Sequence, residues 1–460
     1  MNVILTHGYF LHEDEKEKAI MRPYPPLGIL YLSGYLKDKN VNHEVFDSTF
    51  SSEEEWISYV EVHKPKLIAF YTNLMTKVKI LHLIDRLKKS DSFNDTKFLL
   101  GGPDLTYNVE NYMKFGADFL VIGEGEETFH ETISQFEGDK EFEKVNGLVF
   151  KNEKGEIVKN PPRVKIRDVN ELSFPNRNAI DLSQYLSTWK THHGKSTINI
   201  STQRGCPYTC KWCSTAVYGQ SYRRRSAKLV VDEIEQLIKD YNPDALWFVD
   251  DVFTVSHKWL DEFHKEMTER NVSIQFECIT RAERLNEEVL QKLKDIGCFR
   301  IWIGAESGSQ RIIEKMDRKV ELTTVKEMIQ LTTKMGMESG TFIMLGYPTE
   351  TMHDINLTIQ YLKDANPDVF TITVTYPIKG TSLYTEIEKD ITIQPPWNNS
   401  TDREIDFERT YSRKFYDYAV SKVVNDVNLY KLKSKKGNSK SVLKMKAKSI
   451  VLGSLMKLNK

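Results

Sequence analysis

Short apolar runs alternate with stretches of helical period along most of the chain. In the first third, runs rich in β-branched and aromatic residues at 2–6, 44–46, 67–71, 97–100 and 119–122 read as strands. Segments at 27–37, 53–62, 77–88, 109–114 and 126–135, with apolar residues three and four apart, read as helices between them. Strand–helix alternation of this kind predicts an α/β fold, a doubly wound, Rossmann-like parallel sheet with helices on both faces, over residues 1–140.

Residues 147–162 read as a hairpin, with LVF and EIV flanking the turn NEKG and two prolines closing it. A polar connection completes a hairpin-and-linker region at 141–194. A second alternating series follows, with strands at 197–201, 245–249, 273–278, 299–304, 340–345 and 369–375. Its helices fall at 226–240, 257–269, 286–296, 309–335 in two pieces, and 350–364, the first with Ser226 as cap and a stripe of Val230, Ile234, Leu237 and Ile238. Six such units fall two short of a closed eight-unit barrel, so residues 195–390 are expected to form a partial (β/α)6 TIM-like barrel. Residues 391–460 read as a mostly helical segment, with an aromatic stripe at Phe407, Tyr411, Phe415 and Tyr418 that would line a substrate pocket or simply dock a helix.

Composition refines this picture at the end of the chain. The whole sequence carries 64 basic and 65 acidic residues, a formal charge of −1, which excludes a globally basic nucleic-acid binder. From Lys431 to Lys460 there are ten lysines and no acid, so the other 430 residues carry about −11 and the neutrality is a cancellation. Such a tail is either a solvated, partly frayed helix or a surface for contact with an anionic membrane or nucleic acid; of these partners peripheral membrane contact is the one retained, and no nucleic-acid partner is expected. The first residues have no basic region before their short apolar run, and no stretch is long enough to span a bilayer, so a cytoplasmic setting is expected.

Three of the five cysteines fall within eight residues, in QRGCPYTCKWCS at 203–214, directly after the first strand of the second series. Loops at the carboxyl ends of parallel strands are where such folds build sites. Thiolates suit zinc or iron–sulfur clusters, but a structural zinc site wants four ligands and Cys206, Cys210 and Cys213 are three. Cys278 and Cys298 sit among apolar residues and read as core.

The CxxxCxxC spacing, with Trp212 before the third cysteine and six strand–helix units around it, resembles the radical S-adenosylmethionine (SAM) superfamily. The resemblance implies a [4Fe-4S] cluster on Cys206, Cys210 and Cys213, with its open iron chelating SAM, from which one electron releases a 5′-deoxyadenosyl radical. It further implies SAM contacts from Trp212; from Asp250 and Asp251 after the second strand, where one is alternatively a helix cap; and from Arg281 after the third, alternatively a surface arginine. Glu306, Ser307 and Gly308 after the fourth strand and Gly346 after the fifth complete that set.

The N-terminal sheet has no GxGxxG after its first strand and no phosphate loop. Its strand ends carry small or acidic residues instead: Thr72; Gly101, Gly102 and Pro103; and Gly123, Glu124, Gly125 and Glu126. Each glycine alone is equally well a turn residue. Together, PPLGILYLSGYL at 25–36, FLLGGPD at 98–104 and GADFLVIGEGEET at 116–128 resemble the cobalamin-binding domain that precedes many radical SAM cores, which implies cobalamin at those strand ends. None of the eleven histidines lies in a DxHxxG motif, so no histidine is expected below the cobalt.

The combined resemblance implies a cobalamin-dependent radical SAM enzyme, foremost a C-methyltransferase acting on an unactivated carbon of a biosynthetic intermediate. Rearrangement, cyclisation or oxidation without methyl transfer is the alternative, and a non-catalytic cobalamin sensor is the reading outside enzymology. No catalytic side chain is assigned beyond the cofactor ligands. The partners implied are a small-molecule or peptide substrate and an electron donor of flavodoxin or ferredoxin type.

Overall fold

A computed structural model describes residues 2–215, 217–434 and 439–460. Seven strands form the first sheet: β1 (Val3–Thr6), β2 (Glu44–Val45), β3 (Leu67–Tyr71), β4 (Lys97–Gly101), β5 (Phe119–Val121), β6 (Leu148–Lys151) and β7 (Ile157–Lys159), in the order β2-β1-β3-β4-β5-β6-β7. The first five are mutually parallel. The hairpin, expected in the linker region, instead adds β6 and β7 antiparallel to the sheet edge.

Alternation along each strand makes the sheet's two cores. Ile4, Ile68, Phe70, Phe98 and Leu100 face one way, onto Trp56, Ile80 and Ile84 of the helices Glu53–His63 and Lys77–Lys88. Val3, Leu5, Leu67, Ala69 and Leu99 face the other, onto the helices Leu27–Asp38 and Glu126–Glu137. Strands buried on both faces read as unbroken apolar runs, which is why they are legible in the sequence.

The second series begins with β8 (Thr197–Ile200), then a two-residue ladder of β9 (Gln203–Arg204) and β10 (Arg223–Arg224), then β11 (Ala245–Phe248), β12 (Gln275–Thr280), β13 (Cys298–Glu306), β14 (Glu338–Leu345) and β15 (Val369–Val374). The ladder apart, these form a six-stranded sheet in the order β15-β14-β13-β12-β11-β8, the half-barrel expected from six strand–helix units. Ser226 caps the helix Ala227–Tyr241 by accepting from the Leu229 amide, and Val230, Ile234 and Leu237 are its buried stripe.

Contacts divide the chain into two compact units, Met1–Pro207 with Thr215–Trp247 and Pro395–Asp402, and Tyr208–Ser214 with Phe248–Gln394 and Arg403–Lys460. In the first unit the region expected as linker holds a helix, Leu182–His193, capped by Asp181 and burying Leu182, Tyr185 and Trp189. Its stripe is only three residues, too sparse to stand out beside the polar connection that precedes it. In the second unit, β16 (Ile391–Ile393) pairs with β17 (Asp406–Phe407), and two helices, Arg413–Ser434 and Ser439–Leu458, end the chain. The aromatic stripe read from 407 to 418 is therefore split: Phe407 lies in β17, Tyr411 precedes the helix, and only Phe415 and Tyr418 lie on it. Lys435 and Lys436 of the lysine tail lie outside the described residues.

Gly34 shows how tightly the first unit is closed. The Asn176 amide donates to the Leu30 carbonyl at 2.9 Å, and a β-carbon on Gly34 would run into the Phe174 carbonyl oxygen. Gly34→Ala is expected to cost ~1–3 kcal/mol, the usual penalty of overpacking against backbone, read as a lower urea midpoint with an unchanged slope.

Candidate active site

The cysteine loop leaves the fold through the β9–β10 ladder, in which Arg204 pairs with Arg223. Gly205 turns it outward at φ +81°, and any β-carbon there would meet the Ser221 carbonyl. Cys206 and Cys210 are half-buried and Cys213 is exposed; none is in a disulfide. The Cys213 amide donates to the Cys210 carbonyl at 3.1 Å, a tight turn, and Trp212 sits half-buried within it. Arg281 Nη1 donates to Cys210 Sγ at 3.4 Å. Among the described residues no three His, Cys, Asp or Glu side chains converge as a closed metal-holding group, so the fit to a cluster rests on the donor set: three cysteines in one loop, none of them in a disulfide. Cys278 and Cys298 are buried on β12 and β13, and burial pushes the Cys298 thiol well up, as core residues should behave.

Arg281 follows β12 directly and is a hub rather than a surface residue. It is 4% exposed, its guanidinium carbon lies 3.9 Å from the centre of the Tyr208 ring, and it bonds Glu283 and the Arg318 carbonyl. Glu306 ends β13 at φ +64°, where the pairing with β14 slips by one residue. Burial pushes its carboxyl up to about 6, against the pull of Arg318 and Arg281. Arg318 Nε lies 4.0 Å from Glu306, its Nη2 donates to the Gly304 carbonyl at 3.2 Å, and its buried Nη1 has no hydrogen-bond partner among the described residues. An under-satisfied guanidinium beside a poorly solvated carboxylate matches the carboxylate and ammonium of an amino-acid moiety such as SAM's. Arg318 was not legible in the sequence, because it lies in a helix-to-helix connection rather than at a strand end.

Asp250 and Asp251 follow β11. Asp250 is buried, and for the solvent-facing Asp251 local crowding by protein, then the charge of Asp250, raise the carboxyl. Ser307 and Gly308 are turned to packing: the Gly308 amide donates to Thr358 Oγ1 at 2.9 Å, and a side chain on Gly308 would strike the Thr358 backbone. Their small size serves the approach of the helix Met352–Ala365.

Gly346 adopts φ +78° at the end of β14, with its amide donating to Glu350 Oε2 at 2.6 Å. Glu350, which the sequence reading did not single out, is fully buried, and its Oε1 has no partner among the described residues. Burial, with Asp354 adding to it, pushes Glu350 up to about 8 against the Gly346 amide.

At the carboxyl ends of the first sheet, Gly101 and Gly123 face open space: among the described residues, their chain neighbours apart, no atom lies within 4 Å of where a β-carbon would stand. Thr72 Oγ1 beside them is buried without a partner among the described residues. Open glycine edges and an orphan hydroxyl fit a bulky ligand there. Gly102 differs: at φ +120° it presses on the Thr72 carbonyl, so its glycine is required by the crossing of the two strand ends. Pro103 starts the short helix Pro103–Tyr107, and Gly125 precedes the helix Glu126–Glu137, with Val121 3.6 Å from a β-carbon.

Glu124 and Glu126, read as ligand contacts at the same strand end, are engaged by arginines of the β9–β10 ladder. Glu124 accepts from Arg204 at 2.9 Å, from Arg223 at 2.8 Å and from the Ile166 amide at 2.8 Å, and Glu126 is paired with Arg204. Burial alone would raise Glu124, but Arg223 and Arg204 hold it below its ordinary range. His7, just past β1, has both ring nitrogens engaged, Nε2 with Asp47 at 2.9 Å and Nδ1 with the Tyr9 amide at 3.2 Å.

Comparison with known families agrees with this arrangement. Residues 20–133 match the B12 binding domain and residues 200–362 match the radical SAM superfamily. The chain is a cobalamin-dependent radical SAM enzyme. Among its relatives, an uncharacterized methyltransferase of Pyrococcus horikoshii is 27% identical over 369 residues, 78% of each chain. An anaerobic magnesium-protoporphyrin IX monomethyl ester cyclase of Rubrivivax gelatinosus is 24% identical over 399 residues, 84% of this chain and 70% of the relative. The solved structure of the cobalamin-dependent radical SAM enzyme OxsB with aqua-cobalamin shares the fold, with a TM-score of 0.77 at 14% identity, over 99% of this chain and 80% of that one. The cofactors of this radical SAM enzyme are thus a [4Fe-4S] cluster, SAM and cobalamin.

The buried Glu350 carboxyl makes a signed prediction. A carboxyl raised to about 8 in the folded state favours folding fully below the unfolded value near 4.5 and loses that contribution as the pH rises through 8. Glu350→Gln cannot ionise, so its stability relative to the parent should improve from pH 5 to pH 8 by roughly 3–4 kcal/mol in paired urea titrations. A flat difference would show that Glu350 is ionised throughout.

Proposed function

We propose that this radical SAM enzyme is a C-methyltransferase acting on an unactivated carbon of a biosynthetic intermediate. What carries the reading is the pairing of a cobalamin domain with a radical SAM domain in relatives that are mostly methyltransferases, though they include cyclases. When bound, the cluster, SAM and cobalamin supply one-electron reduction, hydrogen abstraction and a transferable methyl group.

The chain's own residues bind and orient. Cys206, Cys210 and Cys213 provide the sulfur ligands, with Arg281 donating to Cys210 Sγ. Arg318 and Glu306 offer opposite charges to the two ends of an amino-acid moiety, and Asp250 and Asp251 offer acceptors to an ammonium. Gly101 and Gly123 leave their strand ends open to a ligand. An unactivated carbon needs no side-chain base, in keeping with a site whose carboxylates are tied to arginines or raised by burial. The electron enters from a donor of flavodoxin or ferredoxin type. The similarity to cyclases supports a second reading, radical cyclisation or oxidation without methyl transfer.

The two readings part without knowledge of the substrate. In the anaerobic, reduced holoenzyme given methyl-labelled SAM, a methyltransferase moves label to the cobalamin fraction and releases S-adenosylhomocysteine. A cyclase releases 5′-deoxyadenosine and no S-adenosylhomocysteine, and that result would sink the methylation reading. Cys210→Ala is expected to keep cobalamin by its visible spectrum while losing cluster iron and SAM cleavage by at least a hundredfold, on the order of one essential ligand's worth of rate.

A further inference from the structure

The last helix, Ser439–Leu458, is apolar on two opposite faces, and only one of them is covered. Its inner face buries Leu452 and Met456 against the helix Arg413–Ser434. Asn425 Nδ2 donates to the Met445 carbonyl at 2.9 Å and Lys422 Nζ to Ser449 Oγ at 3.0 Å, which fixes the helix's rotation. The outer face presents Leu443 at 69%, Ile450 at 72%, Val451 at 56% and Leu458 at 80% exposure. At a helical turn of 3.6 residues these four fall within an arc of about 100°. Lys444 and Lys448 border that arc on one side and Lys446 and Lys457 on the other, all exposed.

We propose that this outer face docks on the surface of an anionic lipid membrane, the helix lying in the plane of the headgroups. An apolar stripe bordered on both sides by lysines, with no acid between residues 431 and 460, has the charge and shape complementarity that such a surface requires. Nucleic acid would use the lysines and leave the leucines in water. A second copy of the chain would bring lysine rows against lysine rows, and like charges in contact repel. Among the described residues no helix is long and apolar enough to cross a membrane, so the contact is peripheral. This surface stands apart from the catalytic reading and is tested without turnover.

Full-length protein is sedimented with vesicles of equal parts phosphatidylglycerol and phosphatidylcholine, and with vesicles of phosphatidylcholine alone. Binding to the first, weakened by salt and much reduced on the second, is expected. Leu443→Ser, Ile450→Ser and Leu458→Ser together should abolish it while leaving the thermal melt in place, since all three side chains face solvent. Replacing Lys444, Lys446, Lys448 and Lys457 by Gln should weaken it about fivefold per lysine. No sedimentation with anionic vesicles overturns the proposal, as does binding that survives both sets of changes. Retention of duplex DNA instead of vesicles, or a concentration-dependent dimer lost in the serine variant without vesicle binding, would equally overturn it.

Discussion

The cysteine loop enters and leaves the fold through a ladder only two residues wide, and both strands of that ladder present arginine. Arg204 and Arg223 are largely buried, and without counter-charges they would drive the neck of the loop apart. Glu124 and Glu126, at the end of β5 and the start of the next helix, neutralise them, and the Ile166 amide closes the same carboxylate. Removing one member of a buried ion pair typically costs ~3–5 kcal/mol, so this quartet is what keeps the loop's neck on the carboxyl edge of the first sheet. The position of the loop's neck therefore depends on charge pairing, which no amount of apolar packing would supply at so narrow an attachment.

A comparable logic governs the strand ends of the second unit. Arg281 links Cys210, Glu283, Tyr208 and the Arg318 carbonyl, and Arg318 in turn meets Glu306. These groups are buried enough that their pairing is incomplete: Arg318 Nη1, 3.9 Å from Glu283, has no hydrogen-bond partner among the described residues, and burial holds Glu306 up to about 6. Incomplete pairing is costly in a core and useful at a site, because a zwitterionic ligand completes it. Glu350 is the contrasting case, a carboxyl buried beside one amide, where neutrality is the less costly solution.

Small residues at strand ends turn out to have two distinct causes. Gly101 and Gly123 front open space, as a ligand edge should, whereas Gly102 and Gly308 are required because other backbone occupies the place of a side chain. A glycine in a sequence reports only that a β-carbon is excluded, and both causes exclude it equally. Acidic residues at strand ends are equally ambiguous in the sequence: Glu124 and Glu126 answer arginines some eighty positions later in the chain, Glu306 an arginine twelve positions on.

Strand and helix alternation, the two sheets, the cysteine spacing and the paired cofactor domains were all decided by local pattern, because period, burial on both faces and ligand spacing are properties of neighbouring residues. The antiparallel hairpin on the first sheet's edge, the helix Leu182–His193 and the partners of Glu124, Glu126 and Arg318 were decided only in the folded chain. Pairing across long sequence separation leaves no periodicity to read. The lysine-rich end joins both kinds: its charge is plain in the sequence, but a helix with two apolar faces has little net amphipathic pattern. Only packing against Arg413–Ser434 separates the face that is core from the face left to water.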